Sequence, residues 1–210
     1  MMLVVGLTGG IGMGKSAAAE RFAEQGIPVF NADLCVHQLY EGAAVRPIEA
    51  AFPGVTREGR VDRKLLSERI AGSPERLRLL EETVHPLVVA AELDFLRAQE
   101  QRGARLAVLE IPLLFETGAD ARVDVTVVVS APHDVQRARV LARPGMTADK
   151  LEHLLARQLP DAERRARADF VVDSGTTVED MRIEIDRLIE SLKSREGRVM
   201  DRLRRKDERE

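Results

Sequence analysis

Apolar residues fall along this chain in two alternating patterns, short solid runs and stripes at helical spacing. Residues 3–8 (LVVGLT), 105–111 (RLAVLEI) and 123–129 (VDVTVVV) are solid runs, the pattern of strands buried on both faces. Residues 27–30 (IPVF) predict a short second strand, with Pro28 at its start or on an edge, and 169–172 (DFVV) a brief fifth. Helical stripes lie between them. One carries Ala18, Phe22 and Ala23 and stops at Gly26; a second carries Leu87, Val88, Ala91, Phe95 and Ala98; the last carries Met181, Ile185, Leu188, Ile189 and Leu192. Strands separated by helices predict an α/β fold with a five-stranded, mainly parallel sheet covered on both faces. The stretch 32–104 is too long for a plain crossover and reads as a helical cap inserted over one end of the sheet. Residues 193–210 are nearly all charged or polar, either a frayed helix extension or a disordered tail.

Composition narrows the partners. The formal net charge of 210 residues is −3, so an anion site has to be built locally. One tyrosine and no tryptophan leave no stacking platform for single-stranded nucleic acid, and no nucleic-acid partner is expected. Cys35 is the lone cysteine, which rules out an intrachain disulfide and fits a reducing compartment. The start MMLVVGLTGG lacks a secretory pattern and the apolar runs are too short to span a bilayer. A cytoplasmic protein with no membrane partner, a monomer or weak homo-oligomer, is expected. Four scattered histidines lack metal-ligand spacing, so no structural zinc is indicated.

The strongest chemical signal is TGGIGMGKS at 8–16. Gly9, Gly14, Lys15 and Ser16 fit G-x-x-x-x-G-K-[ST], between a predicted strand and a predicted helix. Glycines let backbone N–H groups from Gly10 through Ile11, Gly12, Met13 and Gly14 to Lys15 curl around a phosphate, and the helix that continues through Ser16 and Ala17 turns its positive end to the same anion. Lys15 then reaches the β- and γ-phosphates, and the Ser16 hydroxyl ligates Mg²⁺. A dinucleotide fingerprint fails on spacing, because position 15 is lysine. The loop binds a nucleoside triphosphate, ATP in a kinase.

The loop alone does not separate kinases from switches or motors. The ordered set TGGIGMGKS, NAD at 31–33, HP at 85–86, PLLFE at 112–116, Arg139-x-x-x-Arg143, Gln158 and then RADFVVDSG closely resembles the dephospho-CoA kinase family, in order from residue 3 to about 190. The resemblance implies a three-layer P-loop NTPase fold with a helical substrate-binding cap and a helical lid. It divides residues 1–192 into a core (1–31, 104–138, 168–192), a CoA-binding insertion at about 32–103 and a lid at about 139–167, with 193–210 as a tail. It implies transfer of the ATP γ-phosphate to the ribose 3′-hydroxyl of dephospho-CoA, the last step of coenzyme A biosynthesis. A kinase for a nucleoside or nucleoside monophosphate is the nearest alternative. A nucleotide switch is disfavoured because no guanine-reading N-K-x-D string occurs.

The site residues follow from both lines. Asp33, after the second strand, is either a helix N-cap or the base for the acceptor hydroxyl, and the resemblance implies the base. Asn31 stands where the family usually has an aspartate. Arg139 and Arg143, at i and i+4 before a break at Pro144–Gly145, are either a solvated basic face or lid groups facing the transferring phosphate; the resemblance implies the lid, although Pro144 departs from the family pattern. Gln158 matches a family glutamine and equally suits an exposed helix end. In the cap, His85 either contacts substrate or caps a helix opened by Pro86, and Arg63 either faces a phosphate or lies on the surface. Leu113 and Leu114 are expected beneath the acceptor pocket, and Glu116 beside an arginine. Glu110 is either near the Mg²⁺ shell or in a strand-end salt bridge. VVDSGTT is one residue shorter than the family pattern, so no adenine contact is assigned there.

Overall fold

The structure, a computed structural model, describes residues 1–207; the last three residues of the predicted tail, 208–210, lie outside the described residues. The chain forms two compact units, 1–30 with 98–210, and 31–97.

The first unit is built on β1 (Leu3–Thr8), β2 (Val29–Asn31), β5 (Leu106–Glu110), β6 (Val125–Ser130) and β7 (Phe170–Asp173). They make the expected five-stranded parallel sheet in the order β2-β5-β1-β6-β7, with Val5 opposite Val108 on one side and Val125 on the other. β2 starts two residues later than the IPVF run, although the Pro28 carbonyl already accepts the Val108 N–H at 2.9 Å. On one face, α1 (Lys15–Glu24) and α9 (Val178–Leu192) cover the sheet. Ala18, Ala19 and Phe22 join all five predicted α9 positions, Met181, Ile185, Leu188, Ile189 and Leu192, in one core. Ala23, expected on the buried face of α1, is exposed and Ala19 takes its place. The 112–123 segment covers the other face: a Cβ at Gly6 would lie 3.1 Å from Leu114 and Val123. α6 (His133–Leu141), α7 (Ala148–Leu155) and α8 (Asp161–Arg167) lie between β6 and β7 in the chain. Because β1 has β5 on one side and β6 on the other, its carboxyl end opens at the point where the connections diverge, the crevice open α/β sheets use for ligands.

The tail is not disordered over its described part. α10 (Val199–Asp207) has Val199 and Met200 buried. Asp124 sets its start: one carboxylate oxygen accepts the Arg198 and Val199 N–H groups at 2.6 and 2.9 Å, and the other accepts Val4 N–H at 2.9 Å.

The second unit contains α2 (Ala32–Leu39), α3 (Val45–Ala51), a hairpin of β3 (Thr56–Arg57) and β4 (Arg60–Val61), α4 (Arg63–Ile70) and most of α5 (Pro74–Gln101). Its own core gathers Ile48, Phe52, Val61, Leu66, Leu80 and Val84. Here the expectation of a helix opened by His85–Pro86 is corrected. α5 begins at Pro74, and Pro86 lies inside its 28 residues. A mid-helix proline forfeits one main-chain bond and crowds the preceding turn; burial of Leu80 and Val84 before it and Leu96 after it outweighs that loss. The predicted stripe is only half-buried for the same reason, since the true core face is set by the earlier turns.

Candidate active site

The phosphate loop is residues 9–14, between β1 and α1. Gly12 has φ 75°, and a Cβ there would lie 2.4 Å from Val140, so neither conformation nor space admits a side chain. The helix starts at Lys15 after the left-handed Gly14, and its first-turn N–H groups on Lys15, Ser16 and Ala17 have no intrahelical acceptor. Met13 N–H turns back on the Gly10 carbonyl at 3.1 Å. The turn therefore presents main-chain donors and a helix N-terminus to one anion. Ser16 is exposed in the first helical turn.

Three side chains hold this loop from outside, and one of its own, Met13, reaches out to the strand end. Gln158 Oε1 accepts the Ile11 N–H at 3.2 Å, while buried Gln136 donates to the Ile11 carbonyl at 2.9 Å. The Met13 sulfur accepts the Ala131 N–H at 3.1 Å, and Ser174 Oγ donates to the Met13 carbonyl at 2.7 Å. Arg139 in turn donates to Ser174 Oγ at 3.1 Å and to its carbonyl at 2.7 Å. Arg139, the loop and the start of the segment after β7 are thus one connected network.

Lys15 Nζ donates to Glu110 Oε1 at 2.6 Å, with the Glu110 side chain only 3% exposed. The strand-end salt bridge is therefore present, and it parks the lysine ammonium beside the loop. Arg143 does not share a helical face with Arg139. α6 ends at Leu141 with Ala142 as its cap, so Arg143 lies in the exposed turn closed by Met146 N–H on its carbonyl at 3.1 Å. The break at Pro144 and Gly145, with φ 74°, leaves the helix two residues short of what the i, i+4 spacing requires. Leu113 is half-buried in the turn after β5, its carbonyl accepting the Thr117 N–H at 3.1 Å, and Leu114 is fully buried. Glu116 accepts the Leu159 N–H at 2.8 Å and acts on Arg164 through charge.

In the second unit, the cap of α2 is Asn31, not Asp33: Asn31 Oδ1 accepts the Leu34 N–H at 2.7 Å. Asp33 is exposed in the first turn of α2, and the helix-cap reading of it is corrected. Arg63 is exposed in the first turn of α4, where Asp62 is the cap. Its charge partly offsets the effect of burial, which raises the Tyr40 phenol above its ordinary value. His85 is exposed on α5 and caps nothing. Cys35 is buried, and burial, then the charge of Glu92, pushes its thiol up, as expected for a packed rather than nucleophilic cysteine.

The sequence reading missed Gln136, Ser174 and Arg164. Arg164 sits in a run, ERRAR, that reads as a solvated basic turn, yet it is 2% exposed. Burial lowers its pKa from the arginine value, with Glu116 and Asp161 opposing. No spacing rule separates it from Arg165 or Arg167.

This arrangement can hold a polyphosphate and place cations around it. Among the described residues, no helix is long and apolar enough to cross a membrane. The dephospho-CoA kinase family model matches residues 3–180. The chain is 55% identical over 188 residues to a dephospho-CoA kinase of Rhodopseudomonas palustris (strain BisB18), covering 90% of this chain and 94% of that one. It is 54% identical over 191 residues to that of Brucella melitensis biotype 1, covering 91% and 96%. Among solved structures it superposes on TT1252 from Thermus thermophilus with TM-score 0.79 and 33% identity, covering 91% and 98%. The dephospho-CoA kinase from Campylobacter jejuni shares the fold at TM-score 0.64 and 22% identity, covering 90% and 96%. With its loop, lysine and fold in place and the family pattern running through nearly its whole length, this chain belongs to the dephospho-CoA kinase family.

Proposed function

We propose that this enzyme transfers the γ-phosphoryl group of ATP in line to the ribose 3′-hydroxyl of dephospho-CoA, giving coenzyme A and ADP. The observation that carries the reading is the family match over residues 3–180 around an intact phosphate loop. ATP is the co-substrate. Residues 10–17 wrap its phosphates, the first-turn N–H groups of Lys15, Ser16 and Ala17 donate to them, and the Lys15 ammonium moves from Glu110 to the β- and γ-oxygens. Asp33 orients the 3′-hydroxyl and takes its proton as the oxygen attacks phosphorus. Arg139 and Arg143 offset charge that accumulates on the transferring group. His85, Arg63 and Leu113 contribute to holding dephospho-CoA.

Mg²⁺ fits the donor set at the loop. Magnesium keeps most of its waters and takes one or two protein oxygens plus phosphates, so the exposed Ser16 hydroxyl suffices as the direct protein ligand, with Glu110 near its water shell. Among the described residues no cluster of three acidic, histidine or cysteine groups forms a separate metal cage, consistent with an ion that arrives with the nucleotide. When bound, the ion neutralises charge on the phosphates. One buried cysteine suits a reducing, cytoplasmic setting, and the enzyme acts as a monomer or weak homo-oligomer on small molecules.

An acceptor panel tests the reading. With ATP and Mg²⁺, ADP formation should depend on dephospho-CoA and be negligible with nucleosides or nucleoside monophosphates. Preference for a mononucleotide would overturn the substrate assignment.

A further inference from the structure

Helix α8 carries three arginines with different fates. Arg165 and Arg167 find partners at the periphery: Arg165 reaches Ser130 Oγ at 3.5 Å, and Arg167 lies over the Phe115 ring at 4.7 Å and 3.7 Å from Asp120. Arg164 is 2% exposed, and among the described residues its buried Nε and Nη1 have no hydrogen-bond partner. Its guanidinium packs on the phosphate loop itself. A Cβ at Gly10 would lie 2.7 Å from Nη2 and 3.2 Å from Nη1, so glycine at position 10 is what allows the approach. The same side chain lines a cavity of about 460 Å³ with Met13, Gln136, Gln158 and Asp161.

Two carboxylates make this burial tolerable without bonding the cation. Glu116 and Asp161 favour the charged guanidinium. Each uses one oxygen elsewhere, Glu116 on Leu159 N–H at 2.8 Å and Asp161 on Ser130 Oγ at 2.7 Å. Their other oxygens, Glu116 Oε2 and Asp161 Oδ1, are buried with no hydrogen-bond partner among the described residues. A permanently charged group with unmet N–H donors is costly in a protein interior unless a ligand meets them. The loop it touches is an anion cradle, and a terminal phosphoryl group carries the densest charge a nucleotide offers. The two flanks of the loop differ: Arg139 and Ser174 border the Gly14 side, Arg164 the Gly10 side.

We propose that Arg164 is a third arginine of phosphoryl transfer, a catalytic residue whose guanidinium donates to the terminal phosphoryl oxygens of ATP held in the loop. This deepens the assignment above and rests on it for the identity of the nucleotide. No bond is made or broken by the arginine; it stabilises negative charge as the phosphoryl group passes from ADP to its acceptor.

The test is calorimetric titration of the whole protein with ATP, ADP and AMP in Mg²⁺, for the parent, Arg164→Met and Arg164→Lys. The expected result is a loss of about 10- to 100-fold in ATP affinity for Arg164→Met, with ADP changed by less than about 3-fold, and a fall in kcat at saturating ATP. Arg164→Lys, which keeps the charge and stem, should recover part of both. A structural prop would weaken ATP and ADP equally, and that result, or no change in either, would overturn the proposal. If Arg164→Met does not fold, the parent alone decides: its Arg164 Nε–H NMR signal should shift on saturation with ATP and stay put with AMP, and an unmoved signal with ATP contradicts the idea. The two readings fail separately. A parent that phosphorylates dephospho-CoA but shows no ATP-selective loss at position 164 sinks only this inference. A parent that ignores dephospho-CoA yet shows that loss sinks only the acceptor assignment.

Discussion

At the residue scale, Asn31 and Asp33 divide two tasks. Asn31 satisfies an orphan N–H at the start of α2 through its side-chain oxygen, which leaves the Asp33 carboxylate exposed one step further along. Position 31 therefore has a local structural role that either asparagine or aspartate can fill. Removing the Asp33 charge costs the helix about 0.5 kcal/mol through the macrodipole, far below the effect of losing a general base. Asp33→Asn should accordingly keep its fold and its KM for ATP while kcat falls by about 100-fold or more. Steady-state kinetics at saturating dephospho-CoA checks this, and turnover within a few-fold of the parent would remove Asp33 from the role of base. Asparagine keeps the size of the side chain, so the comparison isolates proton acceptance.

At the element scale, α5 shows where sequence pattern and structure part company. The proline signal for a helix start is genuine chemistry, but Pro86 is also tolerated inside a helix whose flanking turns are buried. Thr83 compounds the local strain on hydrogen bonding by donating its hydroxyl to the Leu79 carbonyl at 2.6 Å. Replacing Pro86 with alanine restores a main-chain donor and removes the ring clash, a gain of about 3 kcal/mol in a free helix, against about 1 kcal/mol lost because the unfolded chain regains freedom. The net expectation is a stabilisation of about 1–2 kcal/mol, read as a higher urea midpoint with unchanged slope. A lower midpoint would mean that the packing of α5 depends on the proline. The hairpin was invisible in the sequence, and the tail helix was legible only as one of two alternatives. β3 and β4 have two residues each, turning at Glu58 and Gly59, both with positive φ, without the usual Asn-Gly signal. α10 starts on a carboxylate 74 residues earlier in the chain, Asp124, which no local pattern announces.

At the scale of the whole molecule, what was legible is what periodicity and glycine spacing encode. Solid apolar runs gave β1, β5 and β6 within two residues, because strands buried on both faces have no polar alternation to confuse with anything else, and the shorter apolar runs gave the half-buried edge strands β2 and β7 as closely. The phosphate loop was legible because its glycines, Lys15 and Ser16 answer to one steric and electrostatic demand. The side chains that hold the loop were not. Gln136, Ser174 and Arg164 converge on it from 125–161 positions away, through tertiary packing that carries no signature in the chain. Gln158 lies between these cases, flagged by family likeness and tied to Ile11 by the fold. The account as a whole predicts one event, passage of the intact terminal phosphoryl group of ATP to the ribose 3′-oxygen of dephospho-CoA rather than to water. The measurement that tests it most directly uses ATP carrying three ¹⁸O atoms on its γ-phosphorus, incubated with the enzyme, Mg²⁺ and dephospho-CoA, followed by mass spectrometry of the products. The prediction is a coenzyme A whose 3′-phosphate bears all three labelled oxygens and keeps the unlabelled ribose oxygen as the bridge. Label appearing instead in free phosphate, with dephospho-CoA unchanged, would contradict it.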